Sequence, residues 1–196
     1  LFGGMAIMHL VGLYDDFKNL PAIWKFVLQM AAAAIITSGG FLIRSITLPY
    51  LGSINLGLAA YPLTIVWLVG IANAMNLIDG MDGLASGVGL LVSGTLTLVA
   101  IHHENFGVAI TGAALAGSRA GFLLYNWHPA CIFLGDSGSL FIGLLIGVIG
   151  VQGWRWWSQQ QAENASVLYN AVSAAARANA VAKAKEAELL AAFRAA

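Results

Sequence analysis

The sequence predicts an all-α fold: a polytopic transmembrane helix bundle, polar loops gathered on one face, with a short extended or hairpin-like loop on the other. Three observations carry that expectation. Hydrophobic residues make up 59% of the 196 residues and charged residues only 9%, whereas a soluble domain carries about 25% charged residues. Mean hydropathy is +0.80. Several apolar runs approach the roughly 20 residues that cross a bilayer as helix.

The elements follow in order. The chain opens at Leu1 inside an apolar stretch, with no initiator methionine and no charged n-region. It therefore reads as the interior of a longer protein, and no signal peptide can be assigned. A partial span ends near Val11, and complete spans are expected at 22–43, 58–75, 84–101, 107–125 and 140–157. Glycine within such spans lets membrane helices approach closely. The connector "RSITLPYLGSINLGLAAYP", with Pro49 and Gly52, alternates partly apolar with polar and reads as the extended or hairpin-like loop. Residues 1–157 form the expected transmembrane region, lacking N-terminal spans. Residues 158–196 form an Ala-rich helical tail of unassigned role, in which 13 of the last 26 residues are alanine, the strongest helix former.

Counting crossings gives the next result. Two spans separate Asp15 and Asp16 from Asp79 and Asp82, and two more separate Asp82 from Asp136. An even number of crossings returns the chain to the same face. "YDDFKNLPAIWK", "NLIDGMDGLASG" and "NWHPACIFLGDSGS" therefore emerge on one side, with five of the nine acidic residues and with Lys18, Lys25 and His128. The opposite loops carry Arg44, His102, His103 and Glu104. The positive-inside tendency makes the acidic face cytoplasmic.

Five carboxylates and a lysine at a membrane surface suit a particular chemistry. Carboxylates are hard ligands for Mg²⁺, which shares the rest of its coordination with phosphates and water. The adjoining glycines let backbone approach a ligand or donate N–H groups to phosphate, and Ser137 and Ser139 can cap the helix after Asp136. A neighbouring lysine adds a second positive charge for a diphosphate. The constellation reads as phosphoryl transfer from a nucleotide diphosphate at the lipid interface. Plainer readings stand beside it. An Asp-Asp pair at a helix end is often a solvated cap, and "GDSGS" is a common turn. His128, ahead of Pro129, reads as positional, and His102 and His103 as interfacial polar residues. Arg119, in an apolar run two turns before Asn126, either faces the bundle interior or snorkels toward the acidic face, since exposure to lipid would cost several kcal/mol. Cys131 is the sole cysteine, read as a small apolar filler, with no internal disulfide available. Zero net charge and the absence of a basic cluster give no indication of nucleic acid.

At these residues the chain resembles a family. "DDFKNLPAIWK", "NAMNLIDGMDGLASG" and "NWHPACIFLGDSGSLFIG" are similar, in order and spacing, to the cytoplasmic motifs of polyprenyl-phosphate N-acetylhexosamine-1-phosphate transferases. The flavour is that of the bacterial undecaprenyl-phosphate branch using UDP-N-acetylglucosamine. The resemblance implies transfer of N-acetylhexosamine 1-phosphate from a UDP-sugar to polyprenyl phosphate, with release of UMP. It implies Mg²⁺, with Mn²⁺ as substitute, in a bacterial inner-membrane enzyme that starts envelope polysaccharide (lipopolysaccharide or teichoic acid) synthesis, and it admits a homodimer. It places Asp136 and Asn76 at the metal, and Lys25 and Asn19 near the donor diphosphate. Asp82 and Phe133 line the uridine pocket, with Phe133 stacking on uracil. Asp15 and Asp16 handle the acceptor phosphate, Asp79 orders its loop, and Asn126 joins the substrate-binding residues.

The pattern also departs from the family. Members are considerably longer, and the late His-x-His-His loop is missing. A catalytically inactive paralogue, serving as a membrane binding or assembly subunit, is therefore the alternative. A CDP-alcohol type phosphotransferase is disfavoured, because Asp79-Gly80 is followed by no aspartates at helical spacing. The favoured mechanism is direct displacement; a covalent aspartyl-phosphate on Asp15 or Asp16 is the runner-up.

Overall fold

The computed structural model of the chain describes residues 1–48 and 52–195. Among the described residues, six α-helices, a short 3₁₀ turn and one small ribbon make up the fold. The helices and strands are α1 (Phe2–Lys18), α2 (Ala22–Ser38), β1 (Ser45–Leu48), β2 (Gly52–Asn55), α3 (Ala60–Ile78), α4 (Leu84–His102), α5 (Phe106–Asn126) and α6 (Gly135–Ala195). α4, α5 and the apolar part of α6 are long and apolar enough to cross a membrane, as is α3 with the 3₁₀ turn (Gly57–Ala59) that precedes it. Residues Leu1–Trp156 form one compact unit and Trp157–Ala196 a second.

Several boundaries differ from the sequence expectation, each for a local reason. α1 runs past Val11 to Lys18, so the Asp15–Asp16 pair sits in its last turn and not in a loop. Nothing between Gly12 and Lys18 breaks a helix. It stops where Asn19 takes the left-handed conformation (φ 48°) and donates its N–H to the Asp15 carbonyl, with Pro21 just beyond. α2 ends at Ser38 and not at 43, because Gly39 and Gly40 (φ 90°) follow. At 17 residues it is shorter than a full span. α6 starts five residues before the expected 140 and continues beyond 157.

The connector after α2 is an antiparallel ribbon, with Ser45 opposite Asn55 and Leu48 opposite Gly52. Pro49 lies outside the described residues.

α6 is the spine of the first unit. Leu140, Leu144, Val148 and Val151 lie on one side of it, packed with Met5 and Met8 of α1, Ala32, Ala33 and Ile36 of α2, and Leu68, Val69 and Ala72 of α3. Ile142, Ile146 and Ile149 lie on the other, with Met75 of α3, Ala85 and Ala100 of α4, and Val108, Ala109 and Leu115 of α5. These rows at spacings of three and four are what a helix buried on two sides presents. Small residues let the helices come close: a Cβ on Gly143 of α6 would lie 2.7 Å from Ala72 Cα of α3, and one on Gly4 of α1 would lie 2.6 Å from the Ala32 carbonyl oxygen of α2.

The two ends of the bundle separate as the crossing count requires. At one end the Asp15–Asp16, Asp79–Asp82 and Asp136 segments exchange hydrogen bonds and charge interactions. At the other end Trp154 Nε1 donates to the Ser45 carbonyl at 2.7 Å, and Arg155 donates to the Gly40 carbonyl at 3.0 Å. There His103 lies 5.0 Å from the His102 ring and 4.8 Å from Trp156, centroid to centroid.

Candidate active site

Lys25 is the hub of the acidic end. Its Nζ donates to Asp15 Oδ2 at 2.7 Å and to Asp136 Oδ2 at 2.5 Å, and the lysine side chain is 16% exposed. Asp136 Oδ1 accepts from Asn76 Nδ2 at 2.6 Å, and the same Nδ2 donates to Ser139 Oγ at 2.9 Å. Four residues from α1, α2, α3 and α6 thus meet on one cation and its carboxylates. Among the described residues, no group of three or more His, Cys, Asp or Glu side chains is spaced to hold a metal by itself.

The two aspartates of the pair do different things. Asp15 is buried and accepts from Leu20 N–H and Lys25. Its carboxyl is held down to about 2, foremost by the neighbouring Asp136 side chain and then by Lys25 and the Leu20 N–H, against the opposing effect of burial. Asp16 instead reaches the start of α6, where its carboxylate accepts from Asp136 N–H at 2.7 Å and Ser137 N–H at 3.1 Å. An anionic acceptor there satisfies orphan donors and complements the helix dipole. The expected serine cap is thereby corrected: Asp16 caps α6 from another helix, and Ser139, fully buried, accepts from Asn76. The contact needs Gly12, because a Cβ there would lie 2.6 Å from the Asp136 carbonyl oxygen.

Asp79 and Asp82 border a second, small cleft of about 70 Å³ with Gly80, Met81, Asn126, Phe133 and Leu134. Burial raises the Asp79 carboxyl to about 6, assisted by the negative charges of Asp136 and Asp16. Asp82 is held below the ordinary carboxylate range by the Ala130 N–H and then by His128, whose Nδ1 lies 3.0 Å from Asp82 Oδ2. Phe133 is 73% exposed at the rim, a ring face open to a planar partner. Asn126 is 4% exposed and ties loops together. It accepts from Gly83 N–H and Ser86 Oγ and donates to the Ile132 carbonyl.

The structure thus brings Asp15, Asp16, Lys25, Asn76 and Asp136 into one bonded cluster, with Asp79 coupled to it by charge. Asp82, Phe133 and Asn126 share the cleft beside it. Asn19 stands exposed at the end of α1, contributing the left-handed cap, and Lys18 is exposed in the last turn. Arg119 lies against α4, its stem beside Gly89 and its guanidinium carbon 5.3 Å from the Phe122 ring centroid. Sequence reasoning missed Gln29 and Asn73, whose side chains bond to each other between α2 and α3. The available signal was two amide side chains inside apolar runs, one helical turn from Lys25 and Asn76.

The family model for glycosyl transferase family 4 matches residues 1–153. A second model, a tetratricopeptide repeat-like domain, matches residues 138–195 and overlaps the first over its last turns. The chain is 40% identical over 151 residues to a probable undecaprenyl-phosphate N-acetylglucosaminyl 1-phosphate transferase of Bacillus subtilis, covering 76% of this chain and 42% of that protein. It is 34% identical over 169 residues to a phospho-N-acetylmuramoyl-pentapeptide-transferase of Lacticaseibacillus paracasei, covering 79% and 51%. It is 38% identical over 157 residues to a decaprenyl-phosphate N-acetylglucosaminephosphotransferase of Mycobacterium tuberculosis, covering 74% and 39%. The chain spans about two fifths to one half of the length of these curated relatives. With the acidic loops gathered at one end of an apolar helix bundle and the family model matching from the first residue through α6's apolar part, the chain belongs to glycosyl transferase family 4.

Proposed function

We propose that this chain carries the catalytic end of a multi-pass bacterial membrane enzyme whose active site faces the cytoplasm. It transfers N-acetylhexosamine 1-phosphate, GlcNAc 1-phosphate in particular, from a UDP-sugar to polyprenyl phosphate and releases UMP. The observation that carries the reading is Lys25 held between Asp15 and Asp136 at the acidic end of the bundle. The relatives from Bacillus subtilis and Mycobacterium tuberculosis, both named for N-acetylglucosamine phosphate transfer, support the GlcNAc assignment, and that from Lacticaseibacillus paracasei supports the wider class.

A hard divalent cation fits the donor set. Asn76 commits Nδ2 to Asp136 and Ser139, which leaves its Oδ1 as an acceptor. Asp79, raised to about 6 by burial and by its acidic neighbours, is a carboxylate short of positive charge. Mg²⁺ binds through one or two such groups and completes its shell with substrate phosphates. Asp136 and Asn76 would hold it, with Asp79 alongside, and it would supply charge stabilisation at the diphosphate.

The residues themselves perform the rest. Lys25 faces the diphosphate and offsets the charge that grows on departing UMP. Asp15, held down to about 2, is a weak base, and Asp16 is committed to the α6 cap. Neither is poised to strip a proton, and none need be stripped: a phosphate monoester is largely dianionic at neutral pH, its second pKa being about 6. Asp15 instead fixes Lys25 and excludes a misplaced anion, while an acceptor oxygen attacks the sugar-bearing phosphorus in line with the leaving UMP oxygen. Phe133 offers its exposed ring to uracil and Asp82 edges the same cleft.

Membranes carrying the complete protein, given radiolabelled UDP-GlcNAc and polyprenyl phosphate, should yield a labelled lipid and UMP, and a chiral donor should invert at the transferred phosphorus. Net retention overturns direct displacement. No label transferred from UDP-GlcNAc, with transfer from UDP-N-acetylmuramoyl-pentapeptide, overturns the donor assignment.

A further inference from the structure

We propose that Gln29 and Asn73 are positioning residues for the reaction proposed above, acting as an amide clasp that holds the site end of α2 against α3. Asn73 Nδ2 donates to Gln29 Oε1 at 2.5 Å and also to its own helix at the Val69 carbonyl, 2.8 Å. Gln29 Nε2 returns toward Asn73 Oδ1 at 3.4 Å. Gln29 is fully buried, at 0% exposed.

Burial along α2 shows why the clasp matters. From Ala22 to Leu28 only Lys25 is even partly covered, and every other residue is exposed. The apolar packing of α2 begins at Ala32 and continues through Ala33 and Ile36. Gln29 is therefore the last buried grip before Lys25. Beyond it α2 and α3 part around a cleft of about 510 Å³, lined by Lys25, Gln29, Asn73 and Asn76 with Ile23 and Phe26 among its apolar wall.

Helical spacing couples the clasp to the site. Gln29 lies four residues after Lys25 and Asn73 three before Asn76, so each shares a face with its partner in the site. The two helices thus form two rungs: an amide pair below, and above it Lys25 and Asn76 both reaching Asp136. Two amides joined in an apolar setting satisfy each other's donors and acceptors, and no apolar pair of similar volume fixes the helix register in that way. Loss of the clasp lets Lys25 leave its seat while the core below stays packed.

The test uses the full-length membrane protein. Gln29→Leu, close in volume, should lower kcat by about ten- to a hundredfold, as a displacement of about 1 Å does, with KM for the UDP-sugar within about threefold. Exchanging the partners, Gln29→Asn with Asn73→Gln, preserves the summed length and should recover most of the loss that each single exchange causes. A readout independent of turnover is acylation of the Lys25 amine, followed by peptide mass spectrometry. It should speed up several-fold in Gln29→Leu and return in the exchange variant. Unchanged kcat, an exchange variant no better than its parents, or unaltered Lys25 acylation would each overturn the clasp. If the wild-type protein transfers no sugar phosphate, the functional reading fails by itself, and the acylation rates still decide the clasp.

Discussion

Replacing Lys25 by glutamine removes one positive charge from between two carboxylates and leaves a side chain of similar length that still donates hydrogen bonds. In the native site that charge lies 2.7 Å from Asp15 and 2.5 Å from Asp136, with the lysine only 16% exposed. A cation in such a partly desolvated seat interacts with a full charge at 4 Å by about 4 kcal/mol at an effective dielectric of 20. A leaving phosphate that has gained half to all of its new charge at the transition state would therefore lose about 2–4 kcal/mol of stabilisation. That is a fall of about 30- to 1,000-fold in turnover. The comparison is Lys18→Gln, which removes an exposed charge from the end of α1 and should cost less than about tenfold. Initial rates of UMP release at saturating substrates and matched expression measure both. Equal rates in the two variants would mean that Lys25 is a membrane-surface charge and that the site lies elsewhere.

Cysteine labelling from each side of the membrane should place Lys18→Cys, Met81→Cys and His128→Cys on one face and Arg44→Cys and His102→Cys on the other; a split within either set breaks the crossing count. Asp136→Asn should cut Mg²⁺-dependent turnover at least about a hundredfold while UMP affinity, read by calorimetry, stays within about threefold, because Phe133 and Asp82 lie at a separate cleft. Equal losses would show that the metal and nucleotide roles are wrongly divided. Asp79 supplies a pH signature. Its carboxyl is raised from 3.8 to about 6, first by burial and then by Asp136 and Asp16, so the fold favours its neutral form. That contribution is complete below pH 3.8 and is lost as pH rises through 6. Thermal midpoints of wild type and Asp79→Asn, taken in detergent and chelator from pH 4 to 8, should diverge, with the wild type losing more on the way up; parallel curves refute it.

The bundle was legible because apolar runs and crossing parity are properties of the chain itself. Two apolar helices between motifs sufficed to put Asp15, Asp79 and Asp136 at one end, and composition sufficed to name the solvent. Local breakers set the boundaries less visibly. The Asp pair reads as a loop because it is charged, yet no residue there stops a helix until Asn19 and Pro21. What was not legible is who bonds to whom across helices. Ser137 and Ser139 beside Asp136 read as caps from sequence proximity, whereas Asp16 fills that place through a backbone approach that only Gly12 permits. Gln29 and Asn73 likewise carry no sign of each other at a separation of 44 residues.

The cap on α6 has a consequence for the order of events during synthesis. Asp16 must wait for a backbone N–H that lies 120 residues downstream, about 6–24 s at ribosomal rates of about 5–20 residues per second. Asp15 meets Lys25 after only 10 residues, about 0.5–2 s at the same rates. One aspartate is thus neutralised almost as it emerges, and the other stays at the water-facing end of its helix as an open charge until α6 arrives. A nascent chain stalled before α6 would expose that difference, with Asp15 already paired and Asp16 still hydrated.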